Sequence, residues 1–141
     1  MIIDHICYAV KDTSEALAYW QNIFGYSQMT ETIINKRQKV KVTFLSKEKS
    51  VIVKIIEPLE DNPALKKQVG SEGTFHHICF RCDDISGKIT ELKEKGLRLL
   101  TPPQPGEAFN NNYIAFMLGK YGMNFELIET DEKAGIIQED N

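Results

Sequence analysis

Two histidines and two charged residues stand inside apolar runs of this sequence, where ionisable side chains are costly to bury. His5 lies in IIDHICYAV and His77 in FHHICFRC, while Lys54 lies in VIVKIIE and Glu126 in MNFELIET. A carboxylate buried in a hydrophobic strand needs a metal ion or another cation beside it. Two imidazoles and one carboxylate suit a single divalent ion of Co, Ni, Zn, Mn or Fe. The residues therefore predict a metal site of His5, His77 and Glu126, and the alternative is a buried Lys54–Glu126 ion pair.

An internal repeat predicts that these residues meet. At a shift of 72 residues the chain matches itself without a gap, in pairs that include His5 with His77, Asp4 with His76, and Lys54 with Glu126. The second histidine of the pair, His77, is therefore the expected ligand. Because neighbouring side chains of a strand point to opposite faces, His76 is expected to point away from the site.

Each half of the repeat has the pattern β, α, β, β, β. In the first half Asp12 begins an amphipathic helix that Gly25 ends, and the predicted strands are IIDHICYAV, SQMTETII, KVKVTFLS and SVIVKIIEP. In the second half the predicted helix is DDISGKITELKEKG, and the strands are FHHICFRC, LRLL, NYIAFML and MNFELIET. The segment TPPQPGEAFNNN, residues 101–112, is predicted to be a long loop beside the site.

Two such modules predict one α+β domain, in which tandem βαβββ units form a curved mixed sheet around a concave cleft with the helices outside. We expect module one at about 1–58, a linker at about 59–73, module two at about 74–130 and a flexible C-terminal tail at about 131–141. A length of 141 residues fits one domain of this kind.

Composition narrows the functional classes. The net charge of -3 and the pI near 5.6 disfavour nucleic-acid binding. No apolar run approaches the roughly 18 residues of a membrane span, and the N-terminus lacks a secretory pattern, so we expect a cytoplasmic protein without a membrane partner. Cys7, Cys79 and Cys82 are expected to be reduced, buried thiols.

Several phrases of the sequence resemble one family. DHICYAV, IIEPL, HHICFRCDDI, ELKEKGLRLL, IAFML and FELIE are similar to the vicinal oxygen chelate superfamily of glyoxalases, bleomycin-resistance proteins and extradiol dioxygenases, and most like its methylmalonyl-CoA epimerases. The resemblance covers about residues 2–130. It implies paired βαβββ modules around a metal held by His5, His77 and Glu126, and it implies a homodimer.

Two departures from the family pattern bear on function. The related enzymes carry Glu or Gln where this chain has Lys54, and a protonated ammonium has no lone pair for a metal. Either Lys54 turns away, or its charge occupies the place of the metal. The epimerases also place an acid ahead of the third strand, where this chain reads INKRQKVKV. Lys36 and Arg37 are instead predicted to meet a substrate anion, and Phe109 and Asn112 are predicted to contact the substrate.

The leading functional hypothesis is a glyoxalase-like, metal-dependent lyase or isomerase/epimerase. It would stabilise an enolate of a small oxygenated substrate, with a CoA thioester among the candidates. The residues proposed to move the proton are Lys54 and Glu126. Two alternatives stay open: a metal-free small-molecule binding protein of the resistance type, and a nonheme Fe(II) extradiol-type dioxygenase.

Overall fold

A computed structural model describes residues 1–138 and shows nine strands and three α-helices in that part of the chain. Module one contains β1 (Ile2–Ala9), α1 (Thr13–Phe24), β2 (Ser27–Gln28), β3 (Ile33–Asn35), β4 (Val40–Ser46) and β5 (Ile52–Pro58). The helix α2 (Pro63–Val69) connects the modules. Module two contains β6 (Thr74–Arg81), α3 (Ile85–Glu94), β7 (Arg98–Gly106), a 3₁₀ turn (Glu107–Phe109), β8 (Asn112–Leu118) and β9 (Asn124–Ile128).

All nine strands belong to one mixed sheet, in the order β2-β4-β5-β1-β6-β9-β8-β7, with β3 also paired to β4. The first strands of the two modules, β1 and β6, are antiparallel neighbours at the centre. Each is flanked by the last strand of its own module in parallel pairing, with Cys7 opposite Lys54 in module one and Cys79 opposite Glu126 in module two. The register thus reproduces the 72-residue repeat, and the predicted α+β architecture of two βαβββ modules is confirmed.

The helices begin where their capping residues require. Asp12 accepts a hydrogen bond from the backbone N–H of Glu15 at 3.0 Å, and Asp84 accepts one from Gly87 at 3.1 Å. Gly25 ends α1 in the left-handed conformation, with φ of 72°, which glycine adopts without a Cβ penalty. The predicted start and end of α1 are therefore confirmed.

A second contact fixes each helix to its own module. Glu57 accepts a hydrogen bond from the backbone N–H of Thr13 at 2.8 Å, and Glu129 accepts one from Ile85. Glu57 lies at the end of β5 and Glu129 directly follows β9, so each negative side chain lies at the positive N-terminal end of its helix, α1 or α3. Strand ends and helix starts are thereby locked together in both halves.

Apolar side chains cover both faces of the sheet. Under α1 and α3 lie two clusters, of which the larger contains Ile85, Ile89, Leu92, Ala115, Met117, Phe125 and Leu127. The opposite face carries the cluster that surrounds the predicted site, including Cys7, Val42, Phe44, Ile56, Cys79, Phe109 and Ile128. Burial of a leucine-sized side chain contributes about 1.5–3 kcal/mol, so these clusters hold the site-bearing strands firmly. None of the helices in residues 1–138 is long and apolar enough to span a membrane.

Two predicted elements differ in the structure. The strand expected over SQMTETII is two short strands, β2 and β3, because the chain between them leaves the edge of β4. The first half of the segment 101–112, expected to be an irregular loop, belongs to β7, and the 3₁₀ turn and the start of β8 follow it. Its prolines are tolerated because β7 is an edge strand, paired only to β8 and with register shifts.

The segment expected to be a flexible tail makes specific contacts over residues 131–138. Ala134 donates a backbone hydrogen bond to Ala108 at 2.8 Å, and Ile137 donates one to Met29 at 3.0 Å. Lys133 is buried with an exposed fraction of 4%. This part of the chain is therefore bound to both modules, whereas residues 139–141 lie outside the described residues.

Candidate active site

Four predicted residues converge at the centre of the sheet. His5 Nε2 lies 3.1 Å from Glu126 Oε1, and His77 Nε2 lies 3.4 Å from the same oxygen. Lys54 Nζ lies 3.7 Å from Glu126 Oε2. All four side chains are buried, with exposed fractions of 0–1%. The structure therefore brings together the three predicted ligands and the lysine that departs from the family pattern.

The repeat explains this convergence. His5 and His77 lie on the antiparallel strands β1 and β6, and Lys54 and Glu126 occupy equivalent positions on the flanking strands β5 and β9. Each histidine also packs edge-on against an equivalent phenylalanine, with ring centroids 5.5 Å apart for His5–Phe44 and 5.3 Å apart for His77–Phe116. Symmetric packing thus aims both imidazoles at one point.

The prediction that His76 points away from the site is wrong. In the pairing of β1 with β6, Cys7 is opposite His77 and Tyr8 is opposite Phe75, so His76 is the extra residue of a β-bulge. A bulge interrupts the alternation of faces on which the prediction relied. His76 Nδ1 lies 2.6 Å from His77 Nδ1, and the ring borders the cleft above the site.

The donor set fits a metal ion. Among the described residues, His5 Nε2, His77 Nε2 and both carboxylate oxygens of Glu126 are buried without a hydrogen-bond partner. Buried polar atoms are almost always satisfied, so such a group points to an absent ligand. One nitrogen of each imidazole and one oxygen of Glu126 lie within 4.8 Å of one another. These three side chains can hold a divalent ion and leave positions open.

Lys54 places a positive charge next to this donor set. Burial lowers the pKa of Lys54, but the Glu126 carboxylate, together with smaller effects of Cys7, Cys79 and Asp4, raises it overall. Burial raises the pKa of Glu126, but the charge of Lys54 and the contacts from His5 and His77 hold it well below its ordinary range. At neutral pH the two residues are therefore a buried ion pair. Burial lowers the pKa of His77 to about 4, so that imidazole is neutral.

Three residues that the sequence did not single out support His5. Asp4 Oδ2 lies 2.7 Å from His5 Nδ1 and 3.0 Å from Lys133 Nζ, and Arg81 reaches Asp4 Oδ1 at 3.4 Å. Burial raises the pKa of Asp4, yet its contacts with His5 and Lys133 lower it overall. A carboxylate that accepts from Nδ1–H leaves the Nε2 lone pair facing the site. Only the equivalence of Asp4 with His76 in the repeat could have indicated Asp4 beforehand.

A cleft of about 430 Å³ reaches two of the four residues, Lys54 and His77. Lys54, His76 and His77 form part of its floor, and Arg37 and Gln104 stand at its sides. A larger concavity of about 790 Å³ lies beside α3, but no histidine lines it. The smaller cleft is therefore the one that gives a ligand access to the site.

The four predicted substrate-binding residues have different positions. Arg37 lines the cleft, while Lys36 is exposed outside it, and the carboxylate of Glu107 accepts hydrogen bonds from both backbone N–H groups. Phe109 is fully buried and lies beneath the site, stacked on His5 at 5.9 Å and 5.3 Å from Lys54 Nζ.

Asn112 is held away from the cleft by its neighbours. Its Nδ2 donates to the carbonyl oxygen of Phe109 at 2.7 Å and lies 3.4 Å from the Glu132 carboxylate. Direct substrate contacts by Phe109 and Asn112 therefore find no support in the geometry: Phe109 is a packing wall for His5 and Lys54, and Asn112 closes the turn that carries Phe109.

Cys7 and Cys79 lie beside the ligands as small packing residues. Both thiols are fully buried and free. Burial raises the pKa of Cys7 to about 12 and raises that of Cys79 well above its ordinary range. Protonated thiols are poor metal ligands and poor nucleophiles. This agrees with the expectation of reduced, buried cysteines.

Two curated proteins similar to the chain are epimerases. It is 32% identical over 101 residues to human (Homo sapiens) mitochondrial methylmalonyl-CoA epimerase, a match that covers 70% of this chain and 56% of that protein's length. It is 25% identical over 133 residues to the enzyme of the same name from Dictyostelium discoideum, covering 93% and 78%. The chain thus spans little more than half the length of the human relative.

Solved structures share the fold. A crystal structure of a selenomethionine methylmalonyl-CoA epimerase is 29% identical, with a TM-score of 0.75 over 92% of this chain and 94% of that one. The family model of the Glyoxalase/Bleomycin resistance protein/Dioxygenase superfamily matches residues 4–116, which include both histidines. The family expected from the sequence is confirmed: the chain belongs to the Glyoxalase/Bleomycin resistance protein/Dioxygenase superfamily.

Proposed function

We propose that the protein is a metal-dependent epimerase of a CoA thioester that carries an acidic α-hydrogen, with methylmalonyl-CoA as the first substrate to test. The observation that carries the proposal is the convergence of His5 Nε2, His77 Nε2 and the Glu126 carboxylate as buried groups without a hydrogen-bond partner, beside a cleft that reaches His77. The similarity to methylmalonyl-CoA epimerases supports the substrate class.

The three ligands define what a bound ion can supply. When a divalent ion is bound by His5, His77 and Glu126, it polarises a carbonyl oxygen and stabilises the negative charge that develops as the neighbouring C–H bond is broken. The residues of the chain then have to orient the substrate, exclude water and move one proton. The buried apolar cluster that includes Phe44 and Phe109 keeps water from the side of the site that faces away from the cleft.

The contact between His76 and His77 supports a role for His76 as a hydrogen-bond donor. If His77 presents its Nε2 lone pair to the site, its Nδ1 carries the hydrogen and donates it to His76 Nδ1, 2.6 Å away. His76 Nε2 then carries a hydrogen and is a donor. Because His76 borders the cleft, we infer that it orients a substrate oxygen.

Lys54 is the residue that we propose for proton transfer. Lys54 borders the cleft, whereas Glu126 is fully buried and does not line the cleft. Once Lys54 Nζ has released its own proton to solvent, it can take the α-proton, and the ammonium so formed can return that proton to the opposite face of the enolate, so that one C–H bond is broken and one is formed. Glu126 balances the charge of the protonated ammonium from 3.7 Å. Glu126 accordingly acts as a metal ligand and as the partner of Lys54.

The test is proton exchange at the α-carbon. The purified protein, loaded in turn with Co, Ni, Zn, Mn or Fe, is incubated with methylmalonyl-CoA in heavy water, and loss of the α-proton signal is followed by NMR. We expect exchange with at least one ion, its loss in Glu126→Gln, and its retention in the matched surface variant Glu72→Gln. Absence of exchange with every ion would exclude this substrate.

One observation favours a second candidate, a metal-free small-molecule binding protein. The Lys54–Glu126 ion pair neutralises the carboxylate without any metal, as an ion pair in such a binder would. Elemental analysis separates the two functions. Protein that holds no metal after purification, and binds none of the five ions when they are added, would favour the binder.

A further inference from the structure

Among the described residues that line the cleft leading to the donor set, two are cations and none is an acid. Among the described residues that line it, the charged side chains are Arg37 and Lys54, and the polar remainder consists of His76, His77, Thr101 and the amides Gln38, Asn62, Gln68 and Gln104. The cleft therefore presents a positive field to anything that enters. An anion is the complementary ligand.

The positive charge of Lys54 would repel any metal ion bound at the site. In the described structure the charges of Lys54 and Glu126 cancel each other, with Lys54 Nζ 3.7 Å from Glu126 Oε2, and His5 Nδ1 contacts Asp4. The nearest other carboxylate, Asp4, is already engaged by Lys133 at 3.0 Å. A divalent ion would therefore add two charges to a cluster that has no spare negative group.

Burial prevents water from relieving this repulsion. Lys54 has an exposed fraction of 1%, and Phe109 and Phe44 close the lower side of the site. Charges in such an environment interact more strongly than they do in water. The missing negative charge has to arrive through the cleft, on a ligand that reaches both the open metal positions and the Lys54 ammonium.

We propose that Lys54 couples metal binding to anion binding, so that the site takes a divalent ion tightly only together with a ligand that carries a carboxylate beside a second metal-binding oxygen. The inference rests on the proposed metal-dependent function and adds a property of this chain, because it follows from the Lys54 ammonium that lies 3.7 Å from the ligand Glu126. By thermodynamic linkage, a bound metal ion must raise the affinity for the anion by the same factor by which the anion raises the affinity for the metal ion.

The test measures affinity, so it does not depend on turnover. Binding of Co²⁺ to the metal-free protein is titrated calorimetrically and by visible absorption, with and without malonate, after correction for the Co²⁺ that malonate holds in solution. Malonamide is the neutral control of matched shape. We expect malonate to tighten Co²⁺ binding about tenfold or more, a typical coupling between sites, and malonamide to have little effect.

Two variants test the role of Lys54. Lys54→Leu removes the charge without adding a ligand, and Lys54→Gln removes it and adds an amide oxygen. Both are expected to bind Co²⁺ more tightly than the wild type in the absence of malonate and to lose most of the malonate effect. Far-UV circular dichroism and urea unfolding check that each variant is folded, and the wild-type comparison of malonate with malonamide stands without them.

The outcomes separate this inference from the proposed function. Wild-type protein that binds Co²⁺ equally well with and without malonate would overturn the coupling while leaving a metal-dependent function intact. An unchanged malonate effect in a folded Lys54→Leu variant would overturn the role of Lys54. Failure of the wild type and of both variants to bind any ion, with or without malonate, would overturn both proposals.

Discussion

Asp4 and His76 are equivalent bulge residues, and each contacts Nδ1 of the histidine that follows it. In the pairing of β1 with β6, Asp4 lies between the pairs Ile3–Phe80 and His5–Cys79 and has no partner of its own, as His76 has none on the other strand. Asp4 Oδ2 lies 2.7 Å from His5 Nδ1, and His76 Nδ1 lies 2.6 Å from His77 Nδ1. The two supports differ in chemistry, since a carboxylate orients His5 and a second imidazole orients His77.

The charge of Asp4 leads to a prediction about metal affinity. In Asp4→Asn the side chain keeps its shape but loses the negative charge that holds His5 with its Nε2 lone pair facing the site. We expect Co²⁺ affinity in the presence of malonate to fall about 10- to 100-fold, the usual cost of removing such a support. Isothermal titration calorimetry measures the change.

The matched control for this variant is Asp61→Asn, which changes an exposed carboxylate. It should leave Co²⁺ affinity unchanged. An Asp4→Asn protein that is folded and binds Co²⁺ as the wild type does would show that Asp4 does not position His5.

Lys133 gives a prediction about stability. Its Nζ lies 3.0 Å from Asp4 Oδ2, 5.5 Å from the Phe44 ring centroid and 5.4 Å from that of Phe109. Lys133→Met keeps most of the packing but leaves a buried carboxylate with only Arg81 and His5 for neutralisation. We expect the free energy of unfolding to fall by about 3 kcal/mol, at the lower end of the cost of breaking a buried ion pair.

Urea unfolding at pH 7 measures this loss against Lys120→Met, which removes an exposed lysine. Lys120→Met should change the stability by less than about 0.5 kcal/mol, as most surface substitutions do. A comparable effect of the two substitutions would mean that Lys133 contributes no more than a surface lysine.

The pH dependence of the Lys133→Met effect follows from the pKa of Asp4. That pKa is lowered in the folded protein from its ordinary value of 3.8. A carboxyl group with a lowered pKa contributes stability above its unfolded pKa and loses it as the pH falls through the folded value. The difference between wild type and Lys133→Met should therefore be constant from pH 5 to 7 and should shrink below pH 3.8. A difference that grows in acid would contradict the pairing.

The four central residues show how much of this site the sequence could predict. His5, His77, Lys54 and Glu126 were found because each is an ionisable residue in an apolar strand and because the 72-residue repeat pairs them. Both signals reflect the physics of burial and of duplicated strand pairing. The fold followed from the same repeat, since the register of β1, β5, β6 and β9 preserves it.

The residues that sequence reasoning missed depend on interactions that have no periodic signature. His76 faces the site because of a bulge, and bulges break the two-residue alternation on which strand prediction depends. Lys133 lies after the last strand, outside both modules, and reaches Asp4 across 129 residues of sequence. Phe109 was predicted to touch substrate because it lies in a loop-like segment, yet the 3₁₀ turn buries it.

The three thiols are predicted to be unreactive in the folded protein. Burial raises the pKa of Cys7 to about 12 and also raises the pKa of Cys79 and Cys82, so the reactive thiolate is scarce at pH 8. Ellman's reagent should titrate the folded protein slowly and should titrate all three cysteines at once in 8 M urea, a denaturant concentration chosen to be about sufficient for complete unfolding. A thiol of the folded protein that reacts as rapidly as free cysteine would contradict this.

Arg37 and Lys36 provide a matched pair for substrate recognition. Adjacent in sequence and both cationic, they share the Glu107 carboxylate as acceptor for their backbone N–H groups, but only Arg37 lines the cleft. Arg37→Gln should therefore raise the KM for an anionic substrate about tenfold and change kcat little. A loss of binding of this size is within the range for a partly exposed charged hydrogen bond. Lys36→Gln should change neither constant by more than about twofold, since a surface charge outside the cleft contributes little. Steady-state kinetics with methylmalonyl-CoA, or malonate titration if turnover is absent, measures both. Equal effects of the two substitutions would mean that Arg37 acts through the overall positive charge of its loop and not through contact with the ligand.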